Sequence, residues 1–283
     1  MKETIENLII KKNGVYIDCT VGFGGHSKAI IKEIDDKGKL IGIDIDPYAL
    51  EHTYINLFKH SRKNTLYQCN FSNFPNILQK QGIKQIDGML VDLGLSSYQV
   101  DSGHRGLSYR TDSIIDMRMD ASLDVDALSF INKSTESEIA CIIKNFGEER
   151  HFKKISKKIK EKAKKNKINT TYDLAETINQ SIGGYSNKSL SRVFQAFRIH
   201  LNKELENITQ VLENAEKYLN EKGRVAIISF HSIEDRLIKN FFKNSIYIDP
   251  VFKKVIKPKF SEIKKNKRAR SAKLRVGVRN GNK

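Results

Sequence analysis

VYIDCTVGFGGHSK, residues Val15–Lys28, is an apolar run that stops at an acid and gives way to a glycine-rich turn. Val15, Tyr16 and Ile17 have the β-branched and aromatic character of a buried strand, which Asp18 closes. Gly22, Gly24 and Gly25 follow, and glycines let backbone amides approach a ligand that a Cβ would push away. Ser27 is placed to cap a helix through Ala29, Ile30 and Ile31, so the loop would deliver its ligand to a helix N-terminus. A second strand, KLIGIDID at Lys39–Asp46, ends in acids roughly twenty residues beyond the loop, the place where an acid suits two ribose hydroxyls. Asp44 is the first ribose candidate and Asp46 the second. A dinucleotide fingerprint needs a third glycine where this chain has Ser27, so that reading fails. A glycine turn with no ligand is the plain alternative.

The 283 residues, 39% of them apolar, can bury a substantial core and suit one large domain or one domain with a smaller companion. Lys+Arg 50 against Asp+Glu 33 gives +17, which favours a polyanionic partner such as nucleic acid, unless the lysine excess is only a compositional bias. Cys19, Cys69 and Cys141 are scattered, without C-x-x-C spacing or histidine companions, so reduced thiols and no structural zinc are expected. No apolar run reaches the roughly 20 residues of a membrane span, and MKETIENLII lacks a signal-peptide core. The chain reads as soluble and cytoplasmic, with no membrane partner and no metal.

Outward from the loop, Thr4–Ile10 has the spacing of a short helix, and Pro47 opens another through Leu57. Thr65–Gln68 predicts a third strand, followed by Phe71, placed either to cover a base or to fill the core. Phe74–Gln81 predicts a helix, and Ile86–Asp92 a fourth strand whose continuous apolar run suits a parallel sheet. Asp18, Asp44 and Asp92 therefore fall together at the carboxyl ends of strands, where such sheets bind ligands. Between about His104 and His200 the rhythm breaks into helices, among them Ser134–Phe146, Tyr172–Ser181 and the ten-cation stretch Arg150–Lys167 with Phe152, Ile155 and Ile159 on one face. A long helix at Leu201–Leu219, a stop at Gly223 and a fifth strand Arg224–Ser229 follow, opening at His231 on the edge that carries Asp92. After a helix Ile233–Lys243, Phe252–Lys283 holds thirteen Lys/Arg against Glu262 alone, with Leu274–Val278 as a last edge strand.

The acid-led D-x-T-x-G-x-G-G loop resembles the S-adenosyl-L-methionine loop of Rossmann-like methyltransferases. More specifically, D-C-T-x-G-x-G-G-H-S, I-D-x-D-P, D-L-G-x-S-S-x-Q-x-D, R-G-L-S-Y and D-M-R-M-D at Asp116–Asp120 occur in one order. SRVFQAFRIHLNKEL, SFHSIEDR and RARSAKLR continue the series at Ser191–Leu205, Ser229–Arg236 and Arg268–Arg275. In this the chain resembles, nearly end to end, the bacterial 16S ribosomal-RNA cytosine-N(4) methyltransferases that act on cytidine 1402. The resemblance implies an α/β fold, a Rossmann-like class I S-adenosylmethionine-dependent domain of parallel type, with an inserted, mostly α-helical domain. The break in the strand–helix rhythm divides the chain into 1–104, an insert at 105–200, and 201–283. The resemblance implies cofactor contacts from Asp18, Gly22, Gly24, Gly25, His26, Asp44, Phe71, Asp92 and Gln99, and 16S ribosomal RNA or the assembled small subunit as partner. Tyr98 and Lys267 stand where that family usually has proline.

Methyl transfer from a sulfonium is an in-line displacement that needs alignment and exclusion of water. A cytosine 4-amino group shares its lone pair with the ring, so acceptors gripping its hydrogens would assist attack once the base has left its stack. Asp92, or a carbonyl or hydroxyl within Gly94–Ser97 that includes Ser96 and Ser97, is placed for that part. His231 is a second candidate for proton acceptor, although a lone histidine more often satisfies a local hydrogen bond. An assembly factor with a vestigial loop is the competing class, and a homodimer stays open.

Overall fold

A computed structural model describes residues 1–59, 63–95 and 105–281. In chain order its helices are α1 (Lys2–Leu8), α2 (Gly25–Glu33), α3 (Pro47–Thr53), α4 (Phe74–Lys80), α5 (Ala127–Lys133), α6 (Glu136–Gly147), α7 (Phe152–Ala163), α8 (Thr171–Ile182), α9 (Asn187–Leu201), α10 (Glu204–Tyr218), α11 (Ser232–Asn244) and α12 (Phe260–Lys265). The strands are β1 (Val15–Asp18), β2 (Lys39–Asp44), β3 (Thr65–Gln68), β4 (Ile86–Asp92), β5 (Leu219–Ser229), β6 (Ile248–Pro250) and β7 (Lys273–Arg279). Two compact units result: Met1–Gly94 joined with Leu205–Lys283, and Leu95–Glu204.

In the first unit the sheet order is β3-β2-β1-β4-β5-β7-β6, parallel from β3 through β5, with β7 antiparallel to both β5 and β6. The chain winds outward from β1 to β3 and then crosses back to β4. Neighbouring β1 and β4 therefore flank the switch point, where an open α/β sheet leaves a crevice beyond its carboxyl ends. Alternation along the strands splits the core into two layers. Ile17, Ile41, Ile43, Met89, Val91 and Ile227 face Phe74 and Leu78 of α4 and Ile208, Val211 and Leu212 of α10. Tyr16, Leu40, Leu90 and Ala226 face Ile5 and Leu8 of α1, Ile30 of α2 and Ile34 just past its end. A sheet covered on both faces explains why β4 reads as a continuous apolar run.

Four local expectations need correction. Ser27 does not cap α2, because Gly24 in the left-handed conformation (φ 80°) turns the chain and the helix starts at Gly25. β7 is not the sheet edge. The three-residue β6 pairs outside it, and Pro250, which lacks an N–H, is tolerated at such an edge. β5 begins at Leu219 and passes through a tight turn at Lys222 (φ 65°) and Gly223 instead of starting after it. The long helix expected at Leu201–Leu219 starts later, at Glu204, because α9 runs to Leu201 and Lys203 adopts φ 50° between them.

The second unit is helical, with a core of Ile115, Met117, Ile131, Ile139, Ile143, Ile155, Ile159, Ile178 and Phe197. On α7, Ile155 and Ile159 are buried while Lys153, Lys154 and Lys157 are exposed. Lys160 serves the fold instead, its Nζ donating to the Ile131 and Asn132 carbonyls at the end of α5 (3.1 and 2.7 Å). Asn202, just past α9, fastens the loop at Asp116–Asp120 by accepting from Met119 N (2.6 Å) and donating to the Met117 carbonyl (2.9 Å).

Candidate functional site

The crevice is built on three acids that end adjacent strands. Asp18 on β1 is fully buried; it accepts from Ser27 Oγ at 2.6 Å and from Thr20 N at 3.2 Å. Ser27 thus ties the first turn of α2 to the end of β1. Asp44 on β2 accepts from Gly22 N through one oxygen (2.7 Å) and from Asp46 N through the other (2.9 Å), so it holds the glycine loop against the sheet edge. Thr53 completes the clasp by donating to the Gly22 carbonyl at 2.8 Å. Asp92 on β4 accepts from Gly94 N at 3.3 Å, while its own N–H donates to Thr20 Oγ1 at 2.7 Å.

Burial dominates the electrostatics of this edge. It lifts the Asp18 carboxyl to about 7, with the neighbouring Asp92 and Asp44 charges adding to the rise. Burial also raises Asp44, and it raises Asp92, whose side chain is 30% exposed, to about 6. His26 is 3.7 Å from Asp92 through Nε2, yet burial pushes the imidazole down to about 4, so the two do not form a charged pair at neutral pH. His26 Nδ1 is buried without a hydrogen-bond partner. Among the described residues no lysine or arginine pairs with Asp18, Asp44 or Asp92. In a chain of net charge +17 this is an edge of carboxylates left without side-chain countercharge.

Such an edge repels a dinucleotide pyrophosphate and suits a ligand carrying positive charge, as S-adenosylmethionine does on its sulfonium and its ammonium. The residues present fit that group. The loop is also shaped for close approach. A Cβ at Gly24 would lie 2.6 Å from Leu57 Cδ1, whereas Gly22 (φ 51°) has nothing within 4 Å of the corresponding point.

The other expected residues fall as follows. Asp46, the second ribose candidate, is buried and occupied as the N-cap of α3, accepting from Tyr48 N at 3.0 Å. It is removed from the ribose reading. Phe71 opens a short 3₁₀ turn after β3 and packs partly against the core, with Asn70 capping that turn through Ser72 N. His231 is the N-cap of α11 in a capping box with Glu234: its Nδ1 accepts from Glu234 N (3.4 Å), and Glu234 accepts from Phe230 N (2.8 Å) and His231 N (3.3 Å). Its ring is 12% exposed, with Nε2 2.9 Å from the buried Glu234 carboxylate. The cap thus occupies Nδ1, while Nε2, close to that carboxylate, is buried without a hydrogen-bond partner of good geometry. Ser96, Ser97, Tyr98 and Gln99 lie outside the described residues.

Thr20 and Thr53 were not singled out by sequence reasoning and Ser27 was read only as a helix cap, yet they bond Asp18, the Asp92 N–H and the Gly22 carbonyl. Thr20 had a signal, standing two residues after Asp18 inside the loop motif. Thr53 had none, because only the fold brings α3 under Gly22.

The whole chain matches one known family, described as the MraW methylase family, over residues 1–280. It is 41% identical to a protein of Clostridium botulinum named ribosomal RNA small subunit methyltransferase H, with 98% of this chain and 96% of the relative covered. Proteins of the same name from Clostridioides difficile and Fusobacterium nucleatum are 41% and 39% identical over 98% and 97% of this chain, covering 96% and 93% of their own lengths. Among solved structures, an rRNA methylase from Streptococcus thermophilus superposes with a TM-score of 0.45 at 9% identity, covering 99% of this chain and 93% of that one. With the family matched from end to end and an edge of unpaired carboxylates under a glycine loop, this chain belongs to the MraW methylase family.

Proposed function

We propose that the chain transfers a methyl group from S-adenosyl-L-methionine to the exocyclic 4-amino group of cytidine 1402 in 16S ribosomal RNA. The observation that carries the cofactor half is the carboxylate edge. The acids of three strands converge under a backbone loop with no lysine or arginine among the described residues to neutralise them. The ribosomal half is supported by the name of the relatives at about 40% identity and by the basic segments Arg150–Lys167 and Phe252–Lys283. The finer assignment to one cytidine rests on the motif series given above.

When bound, the cofactor supplies an electrophilic methyl group on a sulfonium. The chain's own residues then have separable tasks. Asp18, near its protonation midpoint at neutral pH, holds the first turn of α2 through Ser27 and lends negative charge beneath the loop. Gly22 leaves open space beside the loop backbone and is fixed by Asp44, while Gly24 lets the loop pack against Leu57 and Thr53. Asp92 is the residue of the edge best suited to accept hydrogen bonds from an amine: it is part-exposed, and a carboxyl raised to about 6 is ionised at pH 7.5 while remaining a better proton acceptor than an ordinary aspartate. The carbonyls and hydroxyls of the Gly94–Ser97 sequence are the further candidate acceptors. His231 would help only after leaving its cap.

The test is in vitro. Purified protein and methyl-labelled cofactor are offered small ribosomal subunits, and the product nucleosides are separated by mass spectrometry. Label in N(4)-methylcytidine supports the reading, and label in a ring-carbon or ribose methyl sinks it. Asp92→Asn should lower transfer at least tenfold with the cofactor still bound if Asp92 accepts from the amine. If Asp92 serves the cofactor instead, binding falls first.

A further inference from the structure

In the helical unit two tyrosine rings stand in solvent with their hydroxyls tied down. Tyr185, after the Gly183-Gly184 turn, is 72% exposed, and its hydroxyl donates to Asn187 Oδ1 at 2.7 Å. Tyr172, on the first turn of α8, is 51% exposed, and its hydroxyl donates to the Arg110 carbonyl at 3.3 Å. Both are fastened to the same short segment, because Asn187 Oδ1 also accepts from the Tyr109 hydroxyl at 3.5 Å, and Tyr109 precedes Arg110. Tyr109 itself bonds Ser191 Oγ (3.0 Å) and packs edge-on against Phe194, which anchors the segment to the core of the unit. An exposed tyrosine with a free hydroxyl would swing through its rotamers. These two are held at both ends with their ring faces open, so little side-chain entropy is left to lose on contact.

We propose that Tyr172 and Tyr185 form a stacking platform for unpaired bases of the RNA substrate, on the reading that the chain modifies RNA. Unpaired bases stack on aromatic faces, and a platform of this kind works with cations that hold the backbone. Arg110, whose carbonyl holds Tyr172, and Lys188, next to the Asn187 that holds Tyr185, are both exposed, and the same unit presents Lys153, Lys154 and Lys157 on α7. The acids near Tyr172 are engaged: Asp112 Oδ1 is 3.3 Å from Tyr172 N, Asp173 accepts from Asn169 N and Thr170 N at the start of α8, and Glu176 accepts from Gln180 Nε2 and lies 3.5 Å from Lys162 Nζ. Two open rings set among cations fit a single-stranded nucleic acid better than an acidic or apolar protein surface, which would use the cations or the rings but not both.

The experiment compares full-length wild type, Tyr172→Ala/Tyr185→Ala and Tyr172→Phe/Tyr185→Phe for binding to a labelled twelve-nucleotide oligo(A) and to an abasic strand of equal length, across a salt series. Stacking predicts that the alanine pair loses at least tenfold in affinity for oligo(A), that the phenylalanine pair, which keeps the rings but loses their tethers, weakens by less, about three- to fivefold, and that the slope against log salt is the same for all three. Wild type should bind the abasic strand at least tenfold more weakly than oligo(A). Equal binding of the two strands by wild type overturns the proposal even if the alanine variant fails to fold. So does an alanine variant that folds and binds oligo(A) normally, the outcome expected if the rings instead serve a protein partner. Methyl transfer by wild type to small subunits is scored separately, so loss of the platform idea and loss of the methyltransferase reading give different results.

Discussion

Replacing Asp18 by asparagine should change how the stability of the protein depends on pH, and the structure gives the size of the effect. Asp18 has no solvent exposure, and burial lifts its carboxyl to about 7, whereas in the unfolded chain it titrates near the ordinary value of about 3.9. Between those values the native state holds one proton more than the unfolded state, so stability falls as pH rises, by up to about 1.4 kcal/mol per pH unit. The full cost of ionising it, reached above pH 7, is on the order of 4 kcal/mol. Asp92, raised to about 6, acts in the same direction. His26, lowered to about 4, acts in the opposite one, because its contribution is present above the unfolded value of about 6.5 and is lost as pH falls toward 4. The two largely offset each other below pH 6. From pH 5.5 to 7.5 the Asp18 term should therefore emerge in the difference between wild type and Asp18→Asn, which retains the shape and can still bond Ser27. Urea unfolding followed by circular dichroism, without cofactor, should show wild type losing about 2 kcal/mol relative to the variant over that interval. Parallel profiles for the two proteins would refute the buried-carboxylate reasoning.

Three further outcomes follow from the same geometry. Calorimetric affinity for S-adenosylmethionine should weaken several-fold between pH 8 and pH 6 as Asp18 and Asp92 take up protons; a flat profile would mean the acids do not face the ligand's charge. Gly24→Ala should cost about 1–3 kcal/mol in stability and most of the cofactor affinity, because φ is 80° and the new methyl meets Leu57. Gly22→Ala, strained but unobstructed, should cost less, and equal effects on thermal unfolding would argue against the packing difference. His231→Asn should keep the cap of α11 and leave methyl transfer within about threefold, while His231→Ala loses about 1 kcal/mol of stability. A large loss of turnover in a fully stable His231→Asn protein would restore a chemical role to the ring.

Much of the crevice was legible from the chain because local patterns write it: β1, β3 and β4 have the bounds that their apolar runs predict, and each ends at or beside a residue of the site. What was illegible depends on tertiary neighbours. Ser27 looks like a helix cap in isolation, and only the approach of Asp18 at 2.6 Å turns it into a clasp for β1. Asp46 and Asp44 are both plausible ribose acids by spacing, and the start of α3 decides that Asp46 is taken. β6 spans three residues, too few for any periodicity, so β7 was assigned an edge it does not occupy. His231 sits beyond a strand ending near Asp92, as expected, yet a local capping box with Glu234 takes its Nδ1.

The central claim is tested most directly in cells. Small-subunit ribosomal RNA is taken from a strain lacking this protein and from the same strain carrying it again, digested, and its nucleosides measured by mass spectrometry. The account predicts that a 4-amino methyl mark at cytidine 1402 disappears and returns with the wild-type chain. An unchanged nucleoside profile in the strain without the protein would contradict it.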